Sequence, residues 1–251
     1  MVQHRSFLRG VQALAGAVAL AAAAFGFATT ASATPTFDTF GPLPQANFGG
    51  SGIPNDAVAQ STFEGTGILA LTSTQRFFNP TVTNDGAGTF FAGPGSNFGG
   101  PGSTNPNEGA LWNFNFFISA PTGETLENFI FTLRYDFDPG LNTPESELGQ
   151  IDIVFSPETV IQGSQNNLFG FLAGNPPILG VTPPDFGPFD PDVPGQYSFI
   201  LSAFSSPDGP ELARVAIDVN VGQVPEPATL ALFGLGLVGI AVASRRRRFN
   251  A

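Results

Sequence analysis

From Asn128 to Asp138 the chain alternates strictly between apolar and polar side chains. Phe129, Phe131, Leu133, Tyr135 and Phe137 occupy one set of positions, and Thr132, Arg134, Asp136 and Asp138 the other. Successive side chains of an extended strand point to opposite faces, so this stretch offers one face to a core and one to water. Trp112, Phe114, Phe116 and Ile118 repeat the pattern against Asn113 and Asn115, and Ile151 to Phe155 repeats it with Asp152 outward. Tyr197, Phe199, Leu201 and Ala203 alternate with Ser198 and Ser202, and Val215, Ile217, Val219 and Val221 with Asp218 and Asn220. No stretch of comparable length follows a helical period. Short alternating strands between Gly/Pro loops predict an all-β fold, a β-sandwich or jelly-roll-like arrangement.

The punctuation supports this reading. Ser206-Pro207-Asp208-Gly209-Pro210 has turn chemistry, so the last two strands are expected to form an antiparallel hairpin. Thr62 to Thr72 reads as one strand, and Leu168 to Leu172 as a further candidate. Phe37 to Ile53, dense in Pro, Gly and Asn, reads as an extended arm or loop. Asn84 to Asn107 is a second Gly/Pro stretch, long enough for a mobile or functional loop. The 27 Phe argue against disorder, because so many rings can bury a core.

Charge and missing residue types exclude several functions. Every basic residue is Arg, there is no Cys, and the single His is His4. Between Thr34 and Val224, three Arg stand against nineteen Asp plus Glu, a balance of −16. A nucleic-acid binder must replace phosphate counterions with its own cations, so nucleic acid is excluded as a partner. Without His, Cys or Lys in this segment there is no imidazole to activate a serine, no thiolate, no Schiff-base amine and no soft zinc ligand. The expectation is a protein that is not an enzyme and has no catalytic residue and no obligatory cofactor. Only two-carboxylate chemistry, as in glycoside hydrolysis, stays open.

Two features of the segment invite a ligand. Asp136 and Asp138 share one face of a strand end before Pro139-Gly140, and Glu145 and Glu147 follow. Such oxygens can converge on calcium, although the spacing is not that of an EF-hand; the alternative is a solvated, solubilising strand end. Asp185, Asp190 and Asp192 sit among prolines and read as a stiff exposed loop. Trp112 and Tyr135 can stack on sugars, but both lie on apolar strand faces, where core residence is expected. Phe98 is the ring placed away from any strand.

The two ends concern destination. His4, Arg5 and Arg9 precede the apolar run Val11 to Phe27, and Ala31-Ser32-Ala33 supplies small residues ahead of Thr34. This is a secretory signal layout, with signal peptidase expected to cut after Ala33 and the mature chain to begin at Thr34. At the other end Val224-Pro225-Glu226-Pro227 precedes an uncharged apolar run, Ala228 to Ala243, and then Arg245, Arg246, Arg247 and Arg248. Sixteen helical residues span about 24 Å against about 30 Å of hydrocarbon, a gap that snorkelling arginines can close. The four arginines should stay cytoplasmic, leaving the Pro-Glu-Pro motif on the exported side.

The motif, the Gly-Leu-rich helix and the Arg tail together resemble the PEP-CTERM sorting signal of Gram-negative bacteria. The resemblance implies recognition by an exosortase, a membrane-embedded processing enzyme, in species that make extracellular polysaccharide. It covers about the last 28 residues and the expected N-terminal signal, and it implies nothing about the activity of the intervening domain. The chain thus divides into a signal peptide (1–33), an exported β-rich domain (34–224) and a sorting signal with a single membrane helix (225–251). The expected path is an inner-membrane-anchored precursor, then the cell surface or extracellular matrix. The leading expectation is a structural or adhesive component of an exopolysaccharide layer or biofilm, with calcium as a possible bridge. The alternatives are a carbohydrate-binding module and a carboxylate-dependent glycan-processing enzyme.

Overall fold

The computed structural model describes residues 35–97, 108–153 and 157–222. In chain order the strands are β1 (Thr39–Gly41), β2 (Val58–Phe63), β3 (Gly67–Gln75), β4 (Thr83–Asn84), β5 (Thr89–Ala92) and β6 (Trp112–Ser119). They continue as β7 (Ile130–Tyr135), β8 (Gly149–Ile153), β9 (Val160–Gln165), β10 (Val181–Thr182), β11 (Gly195–Phe204) and β12 (Glu211–Val221). Two short 3-10 turns, Leu126–Asn128 and Gly170–Ala173, are the helical elements among the described residues. None is long and apolar enough to cross a membrane. The expected signal peptide and C-terminal helix lie outside the described residues.

The domain is all-β, as the alternation predicts. One sheet has the order β1-β2-β3-β6-β9 and the other β10-β8-β7-β11-β12-β5-β4. The sheets pack face to face on the apolar sides of their strands. Phe114 of β6 stacks on Phe199 of β11 at 4.4 Å between ring centroids, and Trp112 meets the Phe199 ring edge-on at 6.0 Å. Phe63 of β2 meets Phe131 of β7 edge-on at 5.7 Å. Offset and edge-on contacts of this kind match the negative faces of rings to the positive edges of their neighbours. Trp112 and Tyr135 are both fully buried here, which confirms core residence over sugar stacking. The hairpin at the end of the domain is also as expected: β11 and β12 run antiparallel with Phe199 opposite Ile217 and Leu201 opposite Val215.

Three local readings are corrected. Thr62 to Thr72 is not one strand but a hairpin, β2 to β3, because Glu64 and Gly65 both take left-handed φ values of 46° and 80° and reverse the chain. Leu168 to Leu172 does not extend: Asn166 Oδ1 accepts the Leu168 N–H and the segment winds into a 3-10 turn that drops Leu172 into the core. Within the Gly/Pro stretch, Thr89–Ala92 forms β5, which runs parallel to β12 with Phe90 opposite Val219. Its four residues alternate in burial, but they are too few to stand out between glycines.

The outer face of the five-stranded sheet is covered. On the five-stranded sheet, Phe117 of β6 and Ala70 of β3 point away from the main core and meet Leu43, Ala46 and Phe48 of the N-terminal arm in a second apolar cluster. Gln162 Oε1 of β9 accepts the N–H groups of Asn47 (2.8 Å) and Phe48 (2.7 Å), which pins the arm. The arm is therefore a packed layer. That explains why Asn115, on the polar face of β6, is buried and donates to Thr74 Oγ1 at 2.9 Å.

Candidate functional site

The acidic residues singled out in the sequence lie at the outer face of the seven-stranded sheet and take different roles. Asp136 follows β7 and is only 1% exposed. Its Oδ1 accepts the Asp138 N–H at 2.9 Å and its Oδ2 the Ser198 N–H at 3.4 Å. Burial pushes its carboxyl up to about 7; these backbone donors and the Thr143 hydroxyl pull the other way, and burial wins. Asp138 uses Oδ1 to accept the Gly140 N–H at 2.8 Å, closing the tight loop that the glycine permits. Glu145 instead turns to the sheet and pairs with two guanidiniums, Arg214 and, at 3.4 Å, Arg134. Glu147 is exposed, and its main-chain carbonyl accepts the Asp185 N–H at 3.0 Å.

Asp136 and Asp138 are thus neighbours, while Glu145 is committed to arginines and Glu147 to solvent. Among the described residues no three acidic, His or Cys side chains gather to hold a metal ion. The residue that completes the polar face is one that spacing did not flag. Asp218 of β12 accepts the Ser198 hydroxyl at 2.7 Å and the Gln196 side-chain amide at 3.2 Å. Burial raises its carboxyl to about 6, against the pull of the Ser198 hydroxyl.

An open concavity lies elsewhere, where β3 leaves the five-stranded sheet. A cleft of about 520 Å³ runs between Gly50–Pro54 of the arm and Thr74–Phe78, with Asn113 of β6 in its wall. Arg76 organises this end. It is 8% exposed, its Nε donates to the Glu108 carbonyl at 2.7 Å, and its guanidinium lies 3.7 Å from the Glu108 carboxylate. Burial lowers its pKa and Glu108 partly opposes the shift. The guanidinium carbon sits 4.6 Å from the centre of the Phe77 ring and 5.5 Å from that of Phe169. Phe77 takes φ 51°, an outlier for a bulky residue, and the Asn79 amide closes the turn on the Arg76 carbonyl.

The result is a pair of adjacent rings turned toward water, with Phe77 39% and Phe78 76% exposed. A smaller cleft of about 190 Å³ shares the wall Pro54, Thr74 and Gln75 and reaches Asp56 and Phe90. The exposed pair was legible in retrospect. Two consecutive phenylalanines cannot both face a core across a strand, and Asn79-Pro80 directly after them is a turn signal. Phe98 lies outside the described residues, as do Ala31, Ala33 and Thr34 at the expected cleavage site.

The described residues therefore define an all-β, two-sheet domain with one side sealed by polar contacts and an aromatic cleft at one end. Residues 223–248 match the family model described as the PEP-CTERM protein-sorting motif. That span contains Val224, Pro225, Glu226 and Pro227 and the arginines 245–248, all beyond the described residues. The chain accordingly carries the signal of an exported, membrane-anchored precursor sorted through an exosortase to the cell surface. No curated protein and no solved structure matches it.

Proposed function

We propose that this is a non-enzymatic surface or matrix protein, a structural or adhesive component of an exopolysaccharide layer, released from its anchor at the Pro225-Glu226-Pro227 motif. The observation that carries the reading is the sorting motif at residues 223–248, attached to a domain whose segment from Thr34 to Val224 has no His, Cys or Lys. Two further features support it. Among the described residues no carboxylate lines the larger cleft, so the acid pair that glycan hydrolysis requires is missing from them there. The most buried carboxylates, Asp136 and Asp218, accept hydrogen bonds from their own domain. The carbohydrate-binding reading is favoured by a specific observation, the exposed Phe77–Phe78 pair, and is compatible with an adhesive role.

Mass spectrometry of the chain recovered from cell-surface, membrane and medium fractions tests the proposal. Truncation near Pro225 in the surface or medium fraction is the expected result. A chain that keeps Arg245–Arg248 in every fraction would show that the label is an uncut anchor, and the matrix reading would fail.

A further inference from the structure

We propose that the cleft between Gly50–Pro54 and Thr74–Phe78 binds an uncharged polysaccharide, with Phe77 and Phe78 as its stacking platform. The inference rests on the adhesive reading above and assigns it a site and a ligand class. Four observations carry it.

The first is the exposed ring pair. Phe77 and Phe78 place apolar faces in water on a domain that buries most of its aromatic residues. Covering them returns hydrophobic free energy, and the C–H faces of sugar rings are flat, apolar surfaces of matching size.

The second is rigidity. Phe77 is held in a left-handed backbone conformation, with the guanidinium of buried Arg76 against its ring. Strain of this kind persists only where the surroundings over-determine it, and it presents the ring at little further entropic cost on binding.

The third is the polar complement. Among the described residues the side chains of Gln75 and Ser51, both in the cleft wall, make no hydrogen bond. Asn113 beside them donates to Ser164 Oγ and accepts from the Asn166 amide, which fixes its orientation. Unpaired amide and hydroxyl groups beside exposed rings suit a ligand that is apolar on one face and hydroxyl-rich at its edges.

The fourth is charge. Among the described residues the cleft's one charged residue is Arg76, which is 8% exposed and paired with Glu108. Among the described lining residues no other cation meets a sulfated or uronic polymer, and the −16 balance of the segment repels one.

Affinity electrophoresis of the full-length chain in mild detergent tests the proposal. The gels contain hydroxyethylcellulose or galactomannan as neutral probes and alginate as the polyanion. The expected result is retardation by at least one neutral polymer and none by alginate. Phe77→Ala with Phe78→Ala should weaken apparent affinity by about tenfold or more, the scale of one lost aromatic contact. Phe78→Ala alone, at a 76% exposed position that the fold does not need, should weaken it in the same direction. Gln75→Ala should cost less, and Phe186→Ala, an exposed ring on another loop, should match the parent. Absence of retardation by both neutral polymers, preference for alginate, indifference to the Phe77/Phe78 substitutions, or an equal loss in Phe186→Ala would each overturn it. Processing of the C-terminus is read separately on the same cells. A processed, surface-located chain that ignores neutral polymers sinks the cleft and leaves the matrix reading standing. An unprocessed chain sinks the matrix reading whatever the gels show.

Discussion

The two outer faces of the domain meet the same requirement by opposite means. Each sheet has one side in the shared core and must cover or solvate the other. The five-stranded sheet is covered by an apolar arm, in which Leu43, Ala46 and Phe48 lie on Ala70 and Phe117. The seven-stranded sheet carries one small apolar contact, Leu148 with Ile200 and Ala216. The rest of that face is polar: Asp136, Ser198 and Asp218 toward one end, and Arg134, Glu145, Arg214 and Glu211 across β7 and β12. Apolar cover neither titrates nor is screened by salt, whereas buried carboxyls titrate and ion pairs are screened. The domain should therefore have one condition-dependent face and one indifferent face.

The largest effect that would break this contrast lies on the arm. Phe48→Ala empties a fully buried position and should cost about 3–5 kcal/mol in chemical denaturation, equally at acid and neutral pH. A loss under about 1 kcal/mol would mean that the arm does not seal the sheet, since that is the range of a surface change.

A middle-sized effect lies on the polar face. The carboxyls of Asp136 and Asp218 start from 3.8 when unfolded and rise to about 7 and about 6 when folded. Between those limits the folded chain binds more protons than the unfolded one, so stability falls as pH rises. The contribution is fully present below the unfolded value of 3.8 and gone above about 7, the folded value of Asp136. Thermal melts should thus move down by several degrees from pH 4.5 to 7.5, and Asp136→Asn should flatten most of that slope. A melting temperature that rises over the same interval would contradict the burial penalty on the charged forms of these groups.

The smallest effect concerns the ion pairs. Glu145→Gln removes contacts of partly exposed groups to Arg134 and Arg214 and should cost at most about 1 kcal/mol. Molar salt should erase that difference and leave the Phe48→Ala difference intact. Persistence of the Glu145 effect in high salt would place the pair in a drier setting than its exposure indicates.

Much of the fold was legible because it is locally encoded. The alternation at Trp112–Ile118, Phe129–Phe137 and Tyr197–Val221 is a property of neighbouring residues, and it placed the core rings correctly. What failed were segments where a short signal met a conformational one. Glu64-Gly65 reverses the chain inside what looked like a single strand, and Thr89–Ala92 is too brief to show its period between glycines. The polar side of β6 misled in another way. Alternation says which side chains share a face but not what covers it, so Asn115 read as solvent-facing while the arm buries it. The acidic group was half legible for the same reason. Asp136 and Asp138 are close in sequence and in space, but the arginines that take Glu145 come from β7 and β12.

The sequence by itself determined the destination of this protein. A sorting signal is a linear pattern of motif, apolar run and cations, with meaning that comes from order and hydrophobicity along a short segment, and residues 223–248 carry it whole. The same holds for the all-β class, which follows from period, and for the lack of His, Cys and Lys between Thr34 and Val224, which is inventory. Only the tertiary structure decided which surfaces are available. The pin between Gln162 and Phe48 spans 114 positions, and the link between Ser198 and Asp136 spans 62. The cleft joins residues near 50, 75 and 113. Contacts at such separations depend on how sheets stack and loops return, and no local pattern encodes that.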